Sequence, residues 1–295
     1  MSGLNIMITI GIPTYNEEKL IEKTIYSVLI QISSDDEVIV VASGCTDNTV
    51  PLVTNIVRKD KRVRLITEDE RKGKASALNL IIQSARSDII VQTDGDVILE
   101  PNAVSQLVKH FKNPKIGGVS GMPIAVIPKD NLFYDWTIMS YRKIGEERQA
   151  ATRQGKFWHL SGYLLAFRKK ALPSVPFAKG AVDAWMGRII QQNGYIMVYE
   201  PNAKVLVKAP LTIKDFVAQK ARVRAGYYLL PKGPRTIKRE VLWLPKELLK
   251  IPLWNWHRFL ASGTVYLYSW LKGWYLAKAN KSLKEIWKVP ESTKK

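Results

Sequence analysis

The sequence predicts an α/β protein: a mostly parallel sheet flanked by helices, followed by a basic helical segment at the C-terminal end. In the first hundred residues, short apolar runs alternate with segments of helical period, which is the order of βαβ units. These runs are rich in Ile and Val and lack polar alternation, as expected of strands buried on both faces. The charge is uneven, since residues 204–295 carry 20 Lys and Arg against 5 Asp and Glu.

Four strands and three helices are predicted in this first half. The strands are Asn5–Ile12, Glu37–Ala42, Arg62–Thr67 and Asp88–Thr93. Asn16 is expected to cap the first helix and Thr46 the second, and the third helix is expected to run from Gly73 to Ala85. Because ligands of such sheets bind beyond the carboxyl ends of the strands, functional residues should follow each strand directly.

The second half predicts a less regular series of elements. In order these are a strand at Ile116–Ile127, a helix at Asn131–Thr152, a strand at Trp158–Arg168, a helix at Val182–Gln192, paired strands at Tyr195–Glu200 and Ala203–Val207, and a helix at Thr212–Tyr228. Pro201 and Asn202 are the predicted turn of the strand pair. Pro231, Gly233 and Pro234 then break the pattern. We therefore expect a catalytic domain over residues 1–230 and a basic, aromatic helical tail over residues 231–295.

Composition narrows the class of protein. The chain has 295 residues, 46% of them hydrophobic, which is enough for a large core. Its single cysteine, Cys45, excludes an internal disulfide framework, and the N-terminus lacks the order of a secretion signal, so a reducing, cytosolic setting is expected. No dinucleotide fingerprint, P-loop or zinc spacing is present, which argues against a dehydrogenase, a P-loop ATPase and a zinc enzyme.

Two carboxylates separated by a glycine, Asp94-Gly95-Asp96, follow the apolar run of the fourth predicted strand. Carboxylate oxygens suit a hard cation such as Mg²⁺ or Mn²⁺, which commonly takes one or two of them and completes its shell with water and substrate phosphates. A plain strand-end turn is the alternative, because Asp and Gly are ordinary turn residues. The motif therefore needs support from its neighbours.

That support comes from an ordered set of motifs. Residues 12–18 (IPTYNEE), 44–49 (GCTDNT), 73–79 (GKASALN) and 93–96 (TDGD) are followed by residues 161–163 (SGY), 182–185 (VDAW), 194–195 (GY) and 219–222 (QKAR). In this order and spacing they resemble glycosyltransferase family 2, whose members have the GT-A fold. The resemblance covers about residues 5–230 and implies a transferase that uses a nucleotide-sugar donor.

The resemblance also implies roles for individual residues. The implied donor-binding residues are Pro13, Tyr15, Glu17, Ser43, Lys74, Asp94, Gln219 and Arg222. Asp96 and Asp94 would hold Mn²⁺ or Mg²⁺ against the diphosphate, with Asp96 the more direct ligand. Without the resemblance, Tyr15 and Glu17 fit a helix-start turn, and Lys74 and Arg222 fit a solvated helix face.

Asp183 is the implied catalytic base, which would take a proton from the acceptor hydroxyl while that oxygen attacks the anomeric carbon. Such a single displacement inverts the sugar. The alternative is structural, because Asp183 could cap a helix that begins at Ala184.

The chain departs from the family pattern at informative positions. Ala42 and Ser43 stand where acidic residues are common, which leaves the donor base open between a GDP-mannose and a UDP-glucose type. Val182 replaces the acidic residue that often precedes the catalytic aspartate. Val223 replaces the tryptophan of the QxxRW motif that is associated with polymer synthesis, so transfer of a single sugar is expected.

The tail predicts contact with a membrane surface. Trp and Tyr side chains alternate with Lys and Arg there, a combination that favours the membrane–water boundary. The apolar stretch Phe259–Ala277 contains too many polar residues for a spanning helix, so an interfacial helix at the cytoplasmic face is expected, next to a lipid-linked or membrane-associated acceptor. Packing of the tail onto the catalytic domain is the alternative.

Two other function classes compete with the transferase. A sugar nucleotidyltransferase also uses metal carboxylates on an α/β fold, but it is expected to carry a glycine-rich loop where this chain has residues 13–15, PTY. A nucleic-acid-binding protein could use the basic tail. Against it, residues 1–203 are nearly balanced, with 25 Lys and Arg against 21 Asp and Glu, and no nucleic-acid partner is expected.

Overall fold

A computed structural model of the protein describes residues 6–157, 159–177, 181–228 and 244–279. These residues form eight strands and nine α-helices. The strands are β1 (Ile8–Thr14), β2 (Glu37–Ser43), β3 (Val63–Glu68), β4 (Ile89–Thr93), β5 (Val97–Leu99), β6 (Ile116–Val126), β7 (Leu164–Arg168) and β8 (Ile196–Lys208). The helices are α1 (Ile21–Leu29), α2 (Thr49–Lys59), α3 (Lys74–Ser84), α4 (Ala103–Val108), α5 (Tyr134–Arg153), α6 (Val182–Gln192), α7 (Ile213–Tyr228), α8 (Leu244–Leu248) and α9 (Trp256–Lys278).

All eight strands belong to one sheet of order β3-β2-β1-β4-β7-β6-β8-β5. The sheet is parallel over β3, β2, β1 and β4, as predicted for the first half of the chain. Beyond β4 the pairings of β7 with β4 and β6, and of β5 with β8, are antiparallel. The carboxyl ends of the four parallel strands therefore meet at one edge.

Burial on both faces explains why the central strands are mostly apolar. Every residue of β1 and β2 is buried. Along β2, Val38 and Val40 pack in the cluster that contains α1 and α2, whereas Ile39 and Val41 pack in the cluster that contains α3. Successive side chains of a strand point to opposite faces, so helices on both faces require a continuous apolar run.

The chain divides into two compact units. The first contains the residues up to Ile124, Gly145–Phe177 and Val182–Val207, and the second contains Ala125–Ile144 and the described residues from Lys208 onward. The predicted domain boundary at residue 230 lies outside the described residues, as do position 158, where a strand was predicted to start, and the tail after residue 279.

The second unit has its own aromatic core. The rings of Phe133 and Phe216 stack with centroids 4.1 Å apart, and Trp136 packs against Phe259 at 5.1 Å. Helix α9 packs closely against α7 at Gly273. A Cβ at that position would stand only 2.7 Å from the carbonyl oxygen of Ala221, so the contact requires glycine. Phe259–Ala277, predicted as a helix, is helical within α9.

Both predicted helix caps are wrong. Helix α1 begins at Ile21 and α2 at Thr49, so neither Asn16 nor Thr46 is a cap. Instead the Asn16 Nδ2 donates to Thr46 Oγ1 (3.0 Å), and the Thr46 N–H donates to Asn16 Oδ1 (2.8 Å). Asn16 has φ 54°, a left-handed conformation that Asn tolerates.

The predicted hairpin at Pro201 and Asn202 is also wrong, because β8 runs through both residues as one strand. The far half of β8 pairs with β5, with Val205 opposite Leu99 and Val207 opposite Val97. Helix α6 is confirmed with its predicted ends, Val182 and Gln192. Two other predicted elements are confirmed with shifted starts: α3 begins at Lys74 and β7 begins at Leu164. The short elements β5 and α4 were not predicted.

A buried carboxylate, Glu37 at the start of β2, ties three elements together. It is fully buried, and its oxygens accept from the Arg64 guanidinium (3.0 Å), from the Arg86 N–H (2.8 Å) and from the Thr9 hydroxyl (2.9 Å). The Arg86 guanidinium forms an ion pair with it at 3.2 Å. Burial raises the pKa of Glu37, but the hydrogen bonds from Arg86, Arg64 and Thr9 outweigh it and hold the pKa below its ordinary value.

We expect Glu37→Gln to lower the free energy of unfolding by about 1.5–3 kcal/mol at pH 7, because a charged acceptor is lost. A depressed folded-state pKa gives stability that is present above the unfolded value of about 4.3 and is lost as the pH falls through the folded value. The gap between wild type and variant in urea unfolding should therefore shrink below about pH 4. Asp35→Asn, at an exposed acid two residues earlier, is the control; an equal loss there, or a gap independent of pH, would contradict the prediction.

Candidate active site

The loops that follow β1 and β2 are held together by a network of hydrogen bonds at the carboxyl edge of the sheet. In addition to the Asn16–Thr46 pair, the Glu17 N–H donates to Thr49 Oγ1 (2.7 Å) and the Glu18 N–H donates to an oxygen of Asp47 (3.2 Å). Tyr15 and Glu17, two of the predicted donor-binding residues, thus lie on a loop that these hydrogen bonds hold in place. Pro13, two residues before Tyr15, is buried in β1 opposite Val41.

The turn Asp94-Gly95-Asp96 connects β4 to β5. The Thr24 hydroxyl of α1 lies 2.6 Å from the carbonyl oxygen of Val97 and 3.1 Å from that of Gly95. These contacts fix the turn against α1. A Cβ at residue 95 would come within 2.7 Å of Thr14 Oγ1, so the approach of β1 requires glycine there. Asp94 and Asp96 are both half-buried.

Lys74, the first residue of α3, connects this turn to the rest of the site. Its Nζ donates to Asp94 Oδ1 at 2.5 Å and to the carbonyl of Gly162 at 3.1 Å. A Cβ at Gly162 would lie 3.3 Å from Lys74 Nζ and 3.4 Å from Asp183 Oδ2. Gly162 therefore marks one point that the lysine and the predicted base both approach.

Gln92 is a member of this cluster that the sequence did not reveal. Its Nε2 donates to Asp94 Oδ1 (3.2 Å) and to the carbonyl of Gly162 (2.9 Å), parallel to the bonds from Lys74. The sequence feature that could have identified Gln92 is its polarity, because it interrupts the apolar run of β4 two positions before Asp94.

The electrostatics of the cluster centre on Lys74. Burial lowers the pKa of Lys74, but the carboxylates of Asp94, Asp183 and Asp96 outweigh burial and raise the pKa above its ordinary value. Lys74 is therefore a permanent cation facing three carboxylates. This is the reverse of the solvated helix face that was its structural alternative.

Asp183 lies in the first turn of α6, which begins one residue before it. The predicted alternative, that Asp183 caps a helix starting at Ala184, is therefore wrong: Asp183 is inside the helix. A carboxylate in the first turn is stabilised by the positive end of the helix dipole. Asp183 is half-buried, and its carboxylate faces Lys74.

Ser43, at the end of β2, contacts the loop before α3. Its hydroxyl lies 3.4 Å from the carbonyl of Glu70 and accepts from the N–H of Lys72 at 3.1 Å. Arg71 lies between Glu70 and Lys72 in the sequence. Its guanidinium lies over the Tyr15 ring, 4.1 Å from the ring centroid. Sequence reasoning did not identify Arg71.

Gln219 and Arg222, the remaining predicted donor-binding residues, lie on α7 in the second unit. They are three positions apart, which places them on the same side of the helix. Gln219 is buried and Arg222 is half-buried. Their role toward a donor stays a prediction.

The carboxylates of Asp94 and Asp96 fit a hard divalent cation in the chemistry of their oxygens and in their position at a strand end. Within the described residues, no three His, Cys, Asp or Glu side chains form a protein-only metal cluster. Magnesium sites commonly use one or two carboxylates and take their other ligands from phosphates and water.

The match to a family model identifies the class of protein. Residues 9–175 match the model described as glycosyl transferase family 2. Since the match spans more than half of the chain, the protein belongs to glycosyl transferase family 2. This membership favours the transferase over the nucleotidyltransferase and the nucleic-acid-binding protein.

Two curated relatives carry the same printed name. The poly-β-1,6-N-acetyl-D-glucosamine synthase of Staphylococcus aureus (strain COL) is 29% identical over 226 residues, which are 74% of this chain and 54% of that protein. The synthase of that name from Staphylococcus epidermidis is 26% identical over 220 residues, 72% of this chain and 52% of the relative. The chain thus spans about half the length of the curated relatives it matches.

Solved structures show the fold. A mannosyltransferase from Pyrobaculum calidifontis, solved with GDP-Man and Mn²⁺, superposes with a TM-score of 0.64 at 24% identity, covering 95% of this chain and 77% of that one. Residues 1–349 of TarS from S. aureus, solved with UDP-GlcNAc, superpose with a TM-score of 0.52 at 16% identity, covering 85% and 78%. The fold is GT-A, with a helical C-terminal segment, as the sequence predicted.

A matched pair of glycines tests how the loops of the site are packed. Gly44 (φ 62°) and Gly155 (φ 65°) share a left-handed conformation, but a Cβ at residue 44 would stand 2.3 Å from the Arg71 backbone nitrogen, whereas nothing lies within 4 Å at residue 155. We expect Gly155→Ala to cost roughly 1–2 kcal/mol from backbone strain alone. Gly44→Ala should cost about 1–3 kcal/mol more, because the loop of Arg71 is pushed away. Urea unfolding measures both values, and equal costs would mean that the loop is not packed as described.

Proposed function

We propose that this protein is an inverting glycosyltransferase that moves a single sugar from a nucleotide-sugar donor to an acceptor hydroxyl. The observation that carries the proposal is the convergence of Asp94 and Asp183 on one lysine and one glycine. Lys74 Nζ bonds Asp94 directly, and it shares the space beside Gly162 with the Asp183 carboxylate. Lys74, proposed to meet the phosphates, and Asp183, proposed to act on the acceptor, thus both lie close to Gly162.

Each residue has one task in the proposed reaction. Asp183 accepts the proton of the acceptor hydroxyl as its oxygen forms a bond to the anomeric carbon. On the opposite side, the bond from that carbon to the diphosphate oxygen breaks, and the nucleoside diphosphate leaves with the electron pair. Lys74, a permanent cation, meets the negative charge that develops on the phosphates. One displacement inverts the configuration of the sugar.

Asp96 and Asp94 would hold a Mn²⁺ or Mg²⁺ ion, with Asp96 the more direct ligand. When bound, the ion supplies positive charge to the diphosphate of the donor. The mannosyltransferase of the same fold was solved with Mn²⁺, which supports this assignment. Gln219 and Arg222 of α7 are proposed to bind the donor as well, through an amide and a guanidinium.

The proposed donors are of the GDP-mannose or UDP-glucose type. The related structures contain GDP-Man and UDP-GlcNAc, so both base types occur on this fold. The relatives' names describe polymer synthases, but Val223 stands in this chain where the polymer-associated tryptophan is expected. Transfer of one sugar per acceptor is therefore proposed.

Two variants and one control variant test the proposed roles, with melting temperature and sugar transfer as readouts. Wild type should be stabilised by GDP or UDP in the presence of Mn²⁺, since a ligand that binds only the folded state raises the melting temperature. Asp96→Ala should lose the stabilisation that depends on Mn²⁺. Asp183→Asn should keep it and lose transfer by roughly 10²–10⁴-fold, the usual contribution of a general base.

Asp88→Ala is the matched control, since Asp88 precedes β4 at the end opposite to Asp94. It should behave as wild type in both assays. Mn²⁺-dependent shifts that survive in Asp96→Ala would exclude the proposed metal ligand. Full transfer by Asp183→Asn would exclude the proposed base.

We also propose that α9 docks the enzyme on the cytoplasmic face of a membrane, next to a lipid-linked acceptor. None of the helices in the described part of the chain combines the length and the apolar composition that crossing a bilayer requires. Helix α9 buries Phe259, Ser262, Ser269 and Gly273 on one side. Its other side exposes Leu260, Leu267, Tyr268, Leu271 and Tyr275 at helical spacing.

The surroundings of this exposed stripe support a membrane interface. Lys272 and Lys278 are exposed on the same helix, and Leu253 and Trp254, directly before it, are 72% and 75% exposed. Apolar and aromatic side chains beside cations suit the surface of an anionic leaflet. The excess of basic residues after position 203 provides charge of the required sign.

Sedimentation with anionic vesicles at low salt tests this docking. We expect wild type to sediment and Leu271→Glu to lose roughly tenfold in partitioning or more, because an inserted Leu contributes about 1.5–3 kcal/mol. Ile30→Glu is the control, since Ile30 is 80% exposed at the end of α1 and should sediment as wild type does. Wild type left in the supernatant, or equal losses in both variants, would exclude docking through α9.

A further inference from the structure

Gln92 and Lys74 donate to the same two acceptors, Asp94 Oδ1 and the carbonyl of Gly162. The distances are 3.2 and 2.9 Å from Gln92 Nε2, and 2.5 and 3.1 Å from Lys74 Nζ. Gln92 shares its face of β4 with Ile90, which packs in the cluster of α3, and Lys74 is the first residue of that helix. Two bridges, one neutral and one charged, therefore join the end of β4 to the loop before β7.

The orientation of the Gln92 amide is set by its partners. A carboxylate oxygen and a carbonyl oxygen both accept, so the amide NH₂ group must face them and Oε1 must point away. Among the residues that the structure describes, none donates to this oxygen, although it is buried. A buried acceptor without a donor costs free energy, and Leu or Met in this apolar strand would avoid that cost. The stability of β4 therefore does not account for glutamine at this position.

The hydrogen bonds from Gln92 are redundant only while Lys74 keeps its present position. An ammonium has three hydrogens, and two of those on Lys74 are already directed to Asp94 and Gly162. In the proposed reaction the same ammonium also meets the diphosphate. If two phosphate oxygens each take a hydrogen, Lys74 must release at least one of its present acceptors. The flexible stem of a lysine permits that turn, whereas the Gln92 side chain is completely buried and stays in place.

We propose that Gln92 is a positioning residue, which holds the Asp94 carboxylate and the Gly162 carbonyl in place when Lys74 turns to the diphosphate of the donor. The amide is neutral, so it fixes the direction of the carboxylate without offsetting its negative charge. Asp94 thus keeps its orientation while the lysine is engaged elsewhere. This inference rests on the proposed function, since it requires Lys74 to meet the phosphates.

Gln92→Met removes both donors and keeps the length of the side chain, so it separates positioning from folding. Without nucleotide, its melting temperature should differ from that of wild type by less than about 3 °C, because Lys74 still reaches both acceptors. With Mn²⁺ present, the affinity for GDP or UDP, whichever wild type binds, should fall by about five- to a hundredfold. That range corresponds to one buried acceptor left without its donor. Isothermal titration measures the affinity.

Ser87→Ala is the matched control, because it removes a buried polar group just before the other end of β4. The Ser87 hydroxyl lies 2.7 Å from the carbonyl oxygen of Ile89 and 2.8 Å from Thr9 Oγ1. This variant should show the opposite pattern: a lower melting temperature and the nucleotide affinity of wild type. An affinity loss in Ser87→Ala equal to that in Gln92→Met would overturn the positioning role, as would an unchanged affinity in Gln92→Met.

Lys74→Met and the double variant test whether the two bridges replace each other. In the Lys74→Met background, Gln92→Met should lower the ligand-free melting temperature several times more than it does alone, since the second bridge is then removed as well. Equal shifts in the two backgrounds would overturn the redundancy on which the proposal depends. Wild type that binds neither nucleotide would overturn the proposed function, and this role of Gln92 with it.

Discussion

The ion pair between Lys74 and Asp94 is the interaction on which the candidate site depends. At 2.5 Å it joins the start of α3 to the end of β4, and the same ammonium reaches the carbonyl of Gly162 before β7. Three carboxylates near one another repel. The ammonium of Lys74 lies among them and opposes this repulsion, so the edge of the sheet can carry an acidic cluster.

The sheet edge explains how residues from distant parts of the chain come to share this ammonium. Parallel pairing of β1 with β2 and β4 places three strand ends side by side, and apolar packing on both faces fixes β2 and β4. The loops that leave β1 and β2 are joined to one another by hydrogen bonds. The strands therefore position the polar side chains at their ends, and the bonds between the loops hold the residues that follow.

Local pattern was sufficient for the parallel half of the fold. An apolar run buried on both sides and an amphipathic helix are properties of neighbouring residues, so β1 to β4 and the helices between them could be predicted. The caps could not, because Asn16 and Thr46 satisfy each other across 30 residues instead of capping the helices that follow them. The false hairpin has a similar cause: Pro201 and Asn202 fit a turn locally, but pairing with β5 extends β8 straight through them.

The candidate site was predictable only in part. Asp94, Lys74 and Asp183 were assigned through the order of family motifs, since each alone has an ordinary structural explanation. The structure adds the place where the lysine and Asp183 meet, which is Gly162: a Cβ there would lie 3.3 Å from Lys74 Nζ and 3.4 Å from Asp183 Oδ2. Gln92 and Arg71 were missed because their partners, Gly162 and Tyr15, lie 70 and 56 positions away in the sequence.

The close contact of α9 with α7 has a mechanical consequence. With only a hydrogen at residue 273, the two helices approach until backbone meets backbone, and the buried Arg224 lies 5.5 Å from the Trp270 ring at the same contact. Sliding or rotating one helix against the other would require these groups to separate. This contact falls at Ala221, between Gln219 and Arg222, so a displacement of α9 would act on the turn of α7 that carries both side chains.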